Sequence, residues 1–231
     1  YSVRLQKQKG FSSVELRIPQ GDILAKKLTA LAALEKDFPG IEFRASQNQN
    51  LVIVWVRSKD CYKLFLKLKG ILDDFLYPET LLDTVVCKGA STCNLGLCNS
   101  PALAEAIEKG IKKDFLTKKV LKKLEIKLNG CPNSCGQQPL GKISFYGMVR
   151  KVDGRPLPFY MVHLGGRKEG PLTKLAKEIG VIPAKGVTNF LRDFLKKAES
   201  AIGNGDIYQF LEGQGEGIAK EVLKKHLHVP T

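Results

Sequence analysis

The sequence predicts an α+β protein in two parts that meet near residue 80. Three features carry that reading. The chain from Val14 to Phe75 runs strand, helix, strand, strand, helix; Pro78 closes that run; and beyond it short strands end in loops rich in glycine and cysteine. With 231 residues, 43% of them hydrophobic, the chain is long enough for a buried core in each part.

Val14–Pro19 (VELRIP) alternates as a strand does. Asp22 is the expected N-cap of a helix over Ile23–Lys36, where Leu24, Leu28, Leu31 and Leu34 recur at helical spacing. Pro39 and Gly40 make a turn, and Ile41–Ala45 and Leu51–Arg57 read as two strands joined by the polar link Ser46–Asn50. Ser58 or Asp60 is expected to cap a second helix over Tyr62–Phe75, with Leu64, Leu68, Ile71, Leu72 and Phe75 on its apolar face. This order matches the larger part of a ferredoxin-like unit, so residues 1–80 are expected to form a ferredoxin-like half-domain.

The second part, residues 81–231, opens with a short strand, Thr84–Val86, that delivers Cys87 into a loop. Pro101 suits the first turn of a helix over Ala102–Ile111. A short helix over Thr117–Lys123 and a strand over Leu124–Asn129 lead to Gly130 and Cys131. Lys142–Val149 and Pro158–Leu164 pair across Asp153 and Gly154, and helices are expected over Leu172–Ile179, Gly186–Ile202 and Gly217–Leu227.

Net charge is +14, from 37 Lys and Arg against 23 Asp and Glu. Such a field attracts anions, acidic proteins or nucleic acid. The lysine pairs, such as Lys112-Lys113 and Lys196-Lys197, are scattered along helix-like segments without interleaved aromatics, which argues against a nucleic-acid groove. No apolar run approaches the roughly 20 residues needed to span a bilayer, so no membrane role is expected. The first ten residues lack the apolar core of a signal peptide, and the chain starts at Tyr1 rather than Met, as a fragment or processed chain would. These features lead to an expected cytoplasmic location.

Six cysteines punctuate the chain: Cys61, Cys87, Cys93, Cys98, Cys131 and Cys135. A chain this long needs no disulfide staples, and a metal site explains the clustering better. Five residues separate Cys87 from Cys93, three separate Cys131 from Cys135, and 37 lie between the pairs. Four thiolates suit zinc or an iron–sulfur cluster. Structural zinc usually takes tighter pairs, whereas a cubane tolerates long, uneven spacings, so the spacing favours the cluster and leaves zinc as the rival. Gly130 and Gly136 flank the second pair and let backbone approach a bulky group.

Asn129–Gly136 (NGCPNSCG), preceded by Cys87–Cys93 (CKGASTC), resembles the cluster signature of the sirohaem-dependent sulfite and nitrite reductases. Ile18–Ile23 (IPQGDI), Phe43–Ile53 (FRASQNQNLVI) and His163–Arg167 (HLGGR) are similar to flanking stretches of that family, so the resemblance runs from about Val14 to Ala198. It implies a mixed α/β domain binding sirohaem and a 4Fe–4S cluster, the second repeat of a paired unit. Carried over, Cys87, Cys93, Cys131 and Cys135 ligate the cluster, Cys135 also bridges to the sirohaem iron, and Asn133 lies against the macrocycle.

The implied chemistry is the six-electron reduction of sulfite to sulfide, or of nitrite to ammonia. An acidic donor such as a ferredoxin would supply electrons, and a first repeat or a second protomer the remaining wall and cationic groups. No catalytic acid or base is assignable from this chain. A cluster-only electron-transfer module and a zinc-stabilised nucleic-acid binder are the rival readings. Cys98 falls outside the four-Cys pattern, Cys61 reads as a buried small hydrophobe, and His163 as a core or near-core histidine. Gly165–Lys168 (GGRK) could cradle a phosphate or a sirohaem carboxylate.

Overall fold

The computed structural model describes residues 3–72, 78–116, 118–121, 124–168, 173–203 and 205–228. The chain forms two compact units that divide between Glu79 and Thr80.

In the first unit, strands β1 (Val3–Leu5), β2 (Phe11–Leu16), β3 (Glu42–Ala45) and β4 (Leu51–Arg57) form an antiparallel sheet in the order β1-β2-β4-β3. Helices α1 (Ala25–Ala32) and α2 (Cys61–Lys69) complete the unit. Alternation along β2 buries Val14 and Leu16, which join Ile53 and Val56 of β4 and Leu64 and Leu68 of α2 in one core. A bulge between Ser12 and Val14 faces Trp55, whose left-handed φ of 62° is unusual inside a strand; the Gln6 side chain accepts its amide hydrogen at 2.8 Å.

Several details depart from the sequence reading. The first helix begins at Ala25 without any side-chain cap, so Asp22 does not cap it, and it tightens to a 3-10 turn over Ala33–Lys36. Leu31 and Leu34 are buried, but Leu24 and Leu28 are exposed; Leu24 precedes the helix in an extended conformation and so leaves its apolar stripe. Neither Ser58 nor Asp60 caps α2 through its side chain: both belong to a 3-10 turn, and Ser58 Oγ bonds Ser12 Oγ instead. β1 escapes sequence reading because it is short and exposed at every position. The expected helix end at Phe75 lies outside the described residues.

The second unit contains β5 (Val85–Val86), α3 (Ser100–Phe115), β6 (Ile126–Asn129), β7 (Ile143–Val152), β8 (Arg155–Leu164), β9 (Lys177–Pro183), α4 (Val187–Ile202), α5 (Ile207–Glu212) and α6 (Gly215–Lys224). Its sheet runs β5-β6-β7-β8-β9, parallel across β5, β6 and β7 and antiparallel from β7 to β9. Ile107 and Ile111 of α3 and Phe190, Leu191 and Phe194 of α4 belong to its core with Ile126 and Phe145 of the sheet. Asn99 caps α3 by accepting from the Ala102 amide at 3.1 Å, and Pro101 stands in the first turn. Asp153 and Gly154, both at positive φ (49° and 77°), turn β7 into β8.

One expected helix is a strand. Leu175 and Ile179 suggest a helical stripe over Leu172–Ile179, but Leu175 is exposed, and Lys177–Pro183 pairs antiparallel with β8. The segment Ile179–Pro183 buries Ile179 and Ile182 and admits Gly180 at φ 153°, which fits an edge strand rather than a helix. Only a 3-10 turn, Lys119–Leu121, is described within the expected helix over Thr117–Lys123, whose Thr117, Lys122 and Lys123 lie outside the described residues, as does Leu172. Among the described residues no helix is long and apolar enough to cross a membrane.

Candidate metal centre

The parallel register of β5 and β6 brings the two cysteine-bearing loops to one end of the sheet. Val86 pairs with Leu128, and the Cys87 amide donates to the Leu128 carbonyl at 3.0 Å. Cys87 therefore leaves its strand beside Asn129, one residue before Gly130 and two before Cys131. Carboxyl ends of adjacent parallel strands are where open α/β sheets usually receive ligands.

The loops are tied together at their bases. The Gly130 amide donates to Cys87 Sγ at 3.0 Å, and the Leu97 and Cys98 amides donate to the Gly130 carbonyl at 3.0 and 2.9 Å. Ser100 Oγ donates to the Cys87 carbonyl at 2.7 Å. A Cβ on Gly130 would stand 2.5 Å from both the Cys98 carbonyl oxygen and Gly89 Cα, so glycine alone fits this crossing. Within the second loop the buried Asn129 side chain accepts from the Gly136 amide at 2.6 Å and donates to Gln138 Oε1 at 3.0 Å. Ser134 and Gln137 both take left-handed φ, 61° and 57°, which folds the loop sharply between its cysteines and Gln138.

Cys131 is buried and Cys87 half-buried, whereas Cys93, Asn133 and Cys135 are exposed. Cys87 is thus joined directly to the second loop, and Cys93 is anchored through its amide to the Gly89 carbonyl at 2.9 Å. Among the described residues no three His, Cys, Asp or Glu side chains stand close enough to hold one metal ion.

Residues 4–70 match the family model for the nitrite/sulfite reductase ferredoxin-like half domain. The chain is 30% identical over 206 residues to a chloroplastic ferredoxin–nitrite reductase of Betula pendula, covering 87% of this chain and 34% of that protein. It is 32% identical over 157 residues to the haemoprotein beta-component of an NADPH sulfite reductase of Aliivibrio fischeri, covering 65% of this chain and 25% of the other. The chain belongs to the nitrite/sulfite reductase family. Its fold matches the structure of the Mycobacterium tuberculosis NirA protein with a TM-score of 0.79 at 20% identity, over 94% of this chain and 41% of that one. It thus shares the α+β fold of the family while spanning 34% and 25% of the lengths of the two curated relatives named above.

Other sequence candidates sit apart from the crossing or beneath it. Cys98 is buried, and its thiol donates toward the Met148 and Phe159 carbonyls at 3.5 and 3.6 Å; burial pushes its pKa up and keeps it a thiol. Cys61 lies in the first unit, half-buried, with Sγ 3.9 Å from the Arg57 carbonyl. The glycine turn after β8 does not present a free phosphate cradle: the Gly165 and Gly166 amides already donate to Lys142 and Gly141 carbonyls, and the Arg167 guanidinium lies over the Tyr208 ring. His163 is buried, its Nδ1 has no hydrogen-bond partner among the described residues, and its Nε2 stands 3.8 Å from Glu178. Sequence reasoning missed Asn129, Ser100 and Lys127. The alternation of Ile126 and Leu128 with Lys127 and Asn129 was a usable signal, because it places two polar residues together on the face opposite the apolar core.

Proposed function

We propose that this chain forms the cluster-bearing part of a reductase that takes sulfite to sulfide, or nitrite to ammonia, by six electrons. The observation that carries the reading is the Gly130 amide donating to Cys87 Sγ, which fastens two loops with two cysteines each at one end of a parallel strand pair. The donor set suits a 4Fe–4S cube in chemistry: four thiols can each take a corner, the Gly130 amide reaches the Cys87 sulfur, and Gly130 stands where a side chain would push the two loops apart. Cys87, Cys93, Cys131 and Cys135 would hold the cube, with Cys135 shared with the sirohaem iron and the exposed Asn133 against the macrocycle.

When bound, the pair would supply single-electron transfer and a place for the anion to be reduced. The chain's own part would be to fix the thiolates, orient Cys87 through the Gly130 amide, and shield one face of the pair. The half-domain would occupy residues 1–80 and the cofactor-binding domain residues 81–231. The opposite face needs another wall, from the segments that make the relatives longer or from a second protomer, because the many carboxylates of sirohaem require cations from several directions. An acidic ferredoxin-type donor and a cytoplasmic setting complete the reading, and sulfite is the favoured substrate. Anaerobic purification followed by iron, acid-labile sulfide and visible spectroscopy tests it. Soret and red bands with about five irons per chain, four from the cube and one from the sirohaem, are the expected result. Broad brown absorption alone would favour a cluster-only electron carrier, and a colourless zinc protein would sink the proposal.

A further inference from the structure

Lys127 is fully buried, on β6, in the run of four residues that leads from Glu125 into the loop of Cys131 and Cys135. Its ammonium lies 3.3 Å from Glu125 Oε1 and 3.5 Å from Gln137 Oε1, and Gln137 is the left-handed residue two places after Cys135. Glu125 is shared: Lys168 Nζ reaches the same oxygen at 2.8 Å, and Lys142, itself buried, acts on both Glu125 and Lys127. Among the described residues, the Glu125 carboxylate therefore meets two further ammonium groups besides Lys127. Burying a cation with too little opposite charge is costly, and apolar residues of similar volume often replace such groups without loss of stability. A buried lysine among other ammonium groups is stabilised by any further anion nearby. The loop it supports carries two of the four thiols, and a cube on four thiolates is a dianion that gains a further negative charge on reduction.

We infer that Lys127 is a fixed counter-cation beneath the cysteine loop and raises the reduction potential of the cluster held on Cys87, Cys93, Cys131 and Cys135. The inference rests on the cluster reading above. Reduction adds negative charge at the cube, so a buried positive charge close by stabilises the reduced state more than the oxidised one. Lys127 is a positioning and tuning residue that reaches the cysteine loop, among the described residues, through Gln137. Burial lowers its pKa first, Glu125 opposes this, and Lys168 and Lys142 add to the lowering; an anionic cluster would hold the ammonium form in place.

The test uses the full chain purified anaerobically with its cofactors, as wild type, Lys127→Met, Lys127→Arg and Lys168→Ala. Iron and sulfide are measured first; a wild-type chain without them overturns the cluster reading and this inference together. In loaded protein, an EPR-monitored redox titration should give a more negative midpoint for Lys127→Met. Lys127→Arg should stay near wild type, and Lys168→Ala should show a smaller negative shift. A loaded Lys127→Met whose midpoint equals or exceeds that of wild type overturns the inference alone. Where Lys127→Met fails to load, a Lys168→Ala midpoint at or above wild type does the same.

Discussion

At the scale of single residues, two cysteines of similar sequence context have opposite surroundings. Cys98 is buried against β7 and β8, where burial keeps its thiol protonated and two carbonyls accept from it. Cys135 is exposed at the tip of a strained loop. Changing Cys98 to Ser should leave iron and sulfide per chain near wild type, since serine offers the same donor to the same carbonyls. Changing Cys135 to Ser should abolish turnover and remove the sirohaem–cluster coupling seen by EPR. Loss of iron in Cys98→Ser with retention in Cys93→Ser would reverse the ligand assignment. His163 gives a second residue-level expectation. Burial lowers its pKa, while Glu178 and the Met161 carbonyl pull the other way. The unfolded chain, whose histidines titrate near about 6.5, then binds more protons than the native one below that pH. The contribution of neutral His163 is complete above that value and declines as pH falls through the window down to its lowered native pKa. Chemical denaturation of wild type and His163→Gln between about pH 7 and pH 5 should show the wild type losing more stability over that range. Parallel curves would refute it.

At the scale of elements, the site depends on two short parallel strands and on the absence of side chains where their loops cross. Gly130→Ala would drive a methyl into the Cys98 carbonyl and the Gly89 backbone, neither of which is a flexible side-chain end. Overpacking of this kind costs about 1–3 kcal/mol and here would also pull the Gly130 amide from Cys87 Sγ. The expected outcome is a lower melting temperature together with reduced iron incorporation; a variant with normal iron content would show that the crossing is dispensable. The sequence announced these elements well where local chemistry and tertiary role agree. β6 alternates because one face meets the helices, Asp153-Gly154 marks a hairpin, and the flanking glycines marked the cysteine loops. It misled where a pattern was satisfied by two structures. Leu172, Leu175 and Ile179 have helical spacing, but only pairing with β8 decides that Lys177–Pro183 is extended. The buried Lys127 and Asn129 could be placed on a polar face, yet their partners Glu125, Gln137 and Gln138 become visible only when the loop folds back over the strand.

At the scale of the whole molecule, the +14 charge is the property that a partner would sense first. Some of the basic residues are paired locally on the helices, as in Lys109–Glu105, Lys197–Glu221 and Lys220–Glu216, and such exposed pairs contribute little to stability. The excess of 37 basic over 23 acidic residues remains as a long-range field. A field of this sign steers an acidic donor toward the protein and raises its encounter rate, and salt weakens the effect once the Debye length falls to about 8 Å. A small uncharged reductant meets the same cofactors without that steering. Turnover driven by ferredoxin should therefore drop steeply as sodium chloride rises from about 10 mM, where the Debye length is about 30 Å, to physiological strength. Turnover driven by the uncharged reductant should change little over the same range. Measuring both in one preparation separates steering from any general effect of salt on the fold, because loss of folded protein would lower the two rates together. Equal salt responses would show that the basic surface does not recruit the donor and that its excess charge is only a solvated exterior.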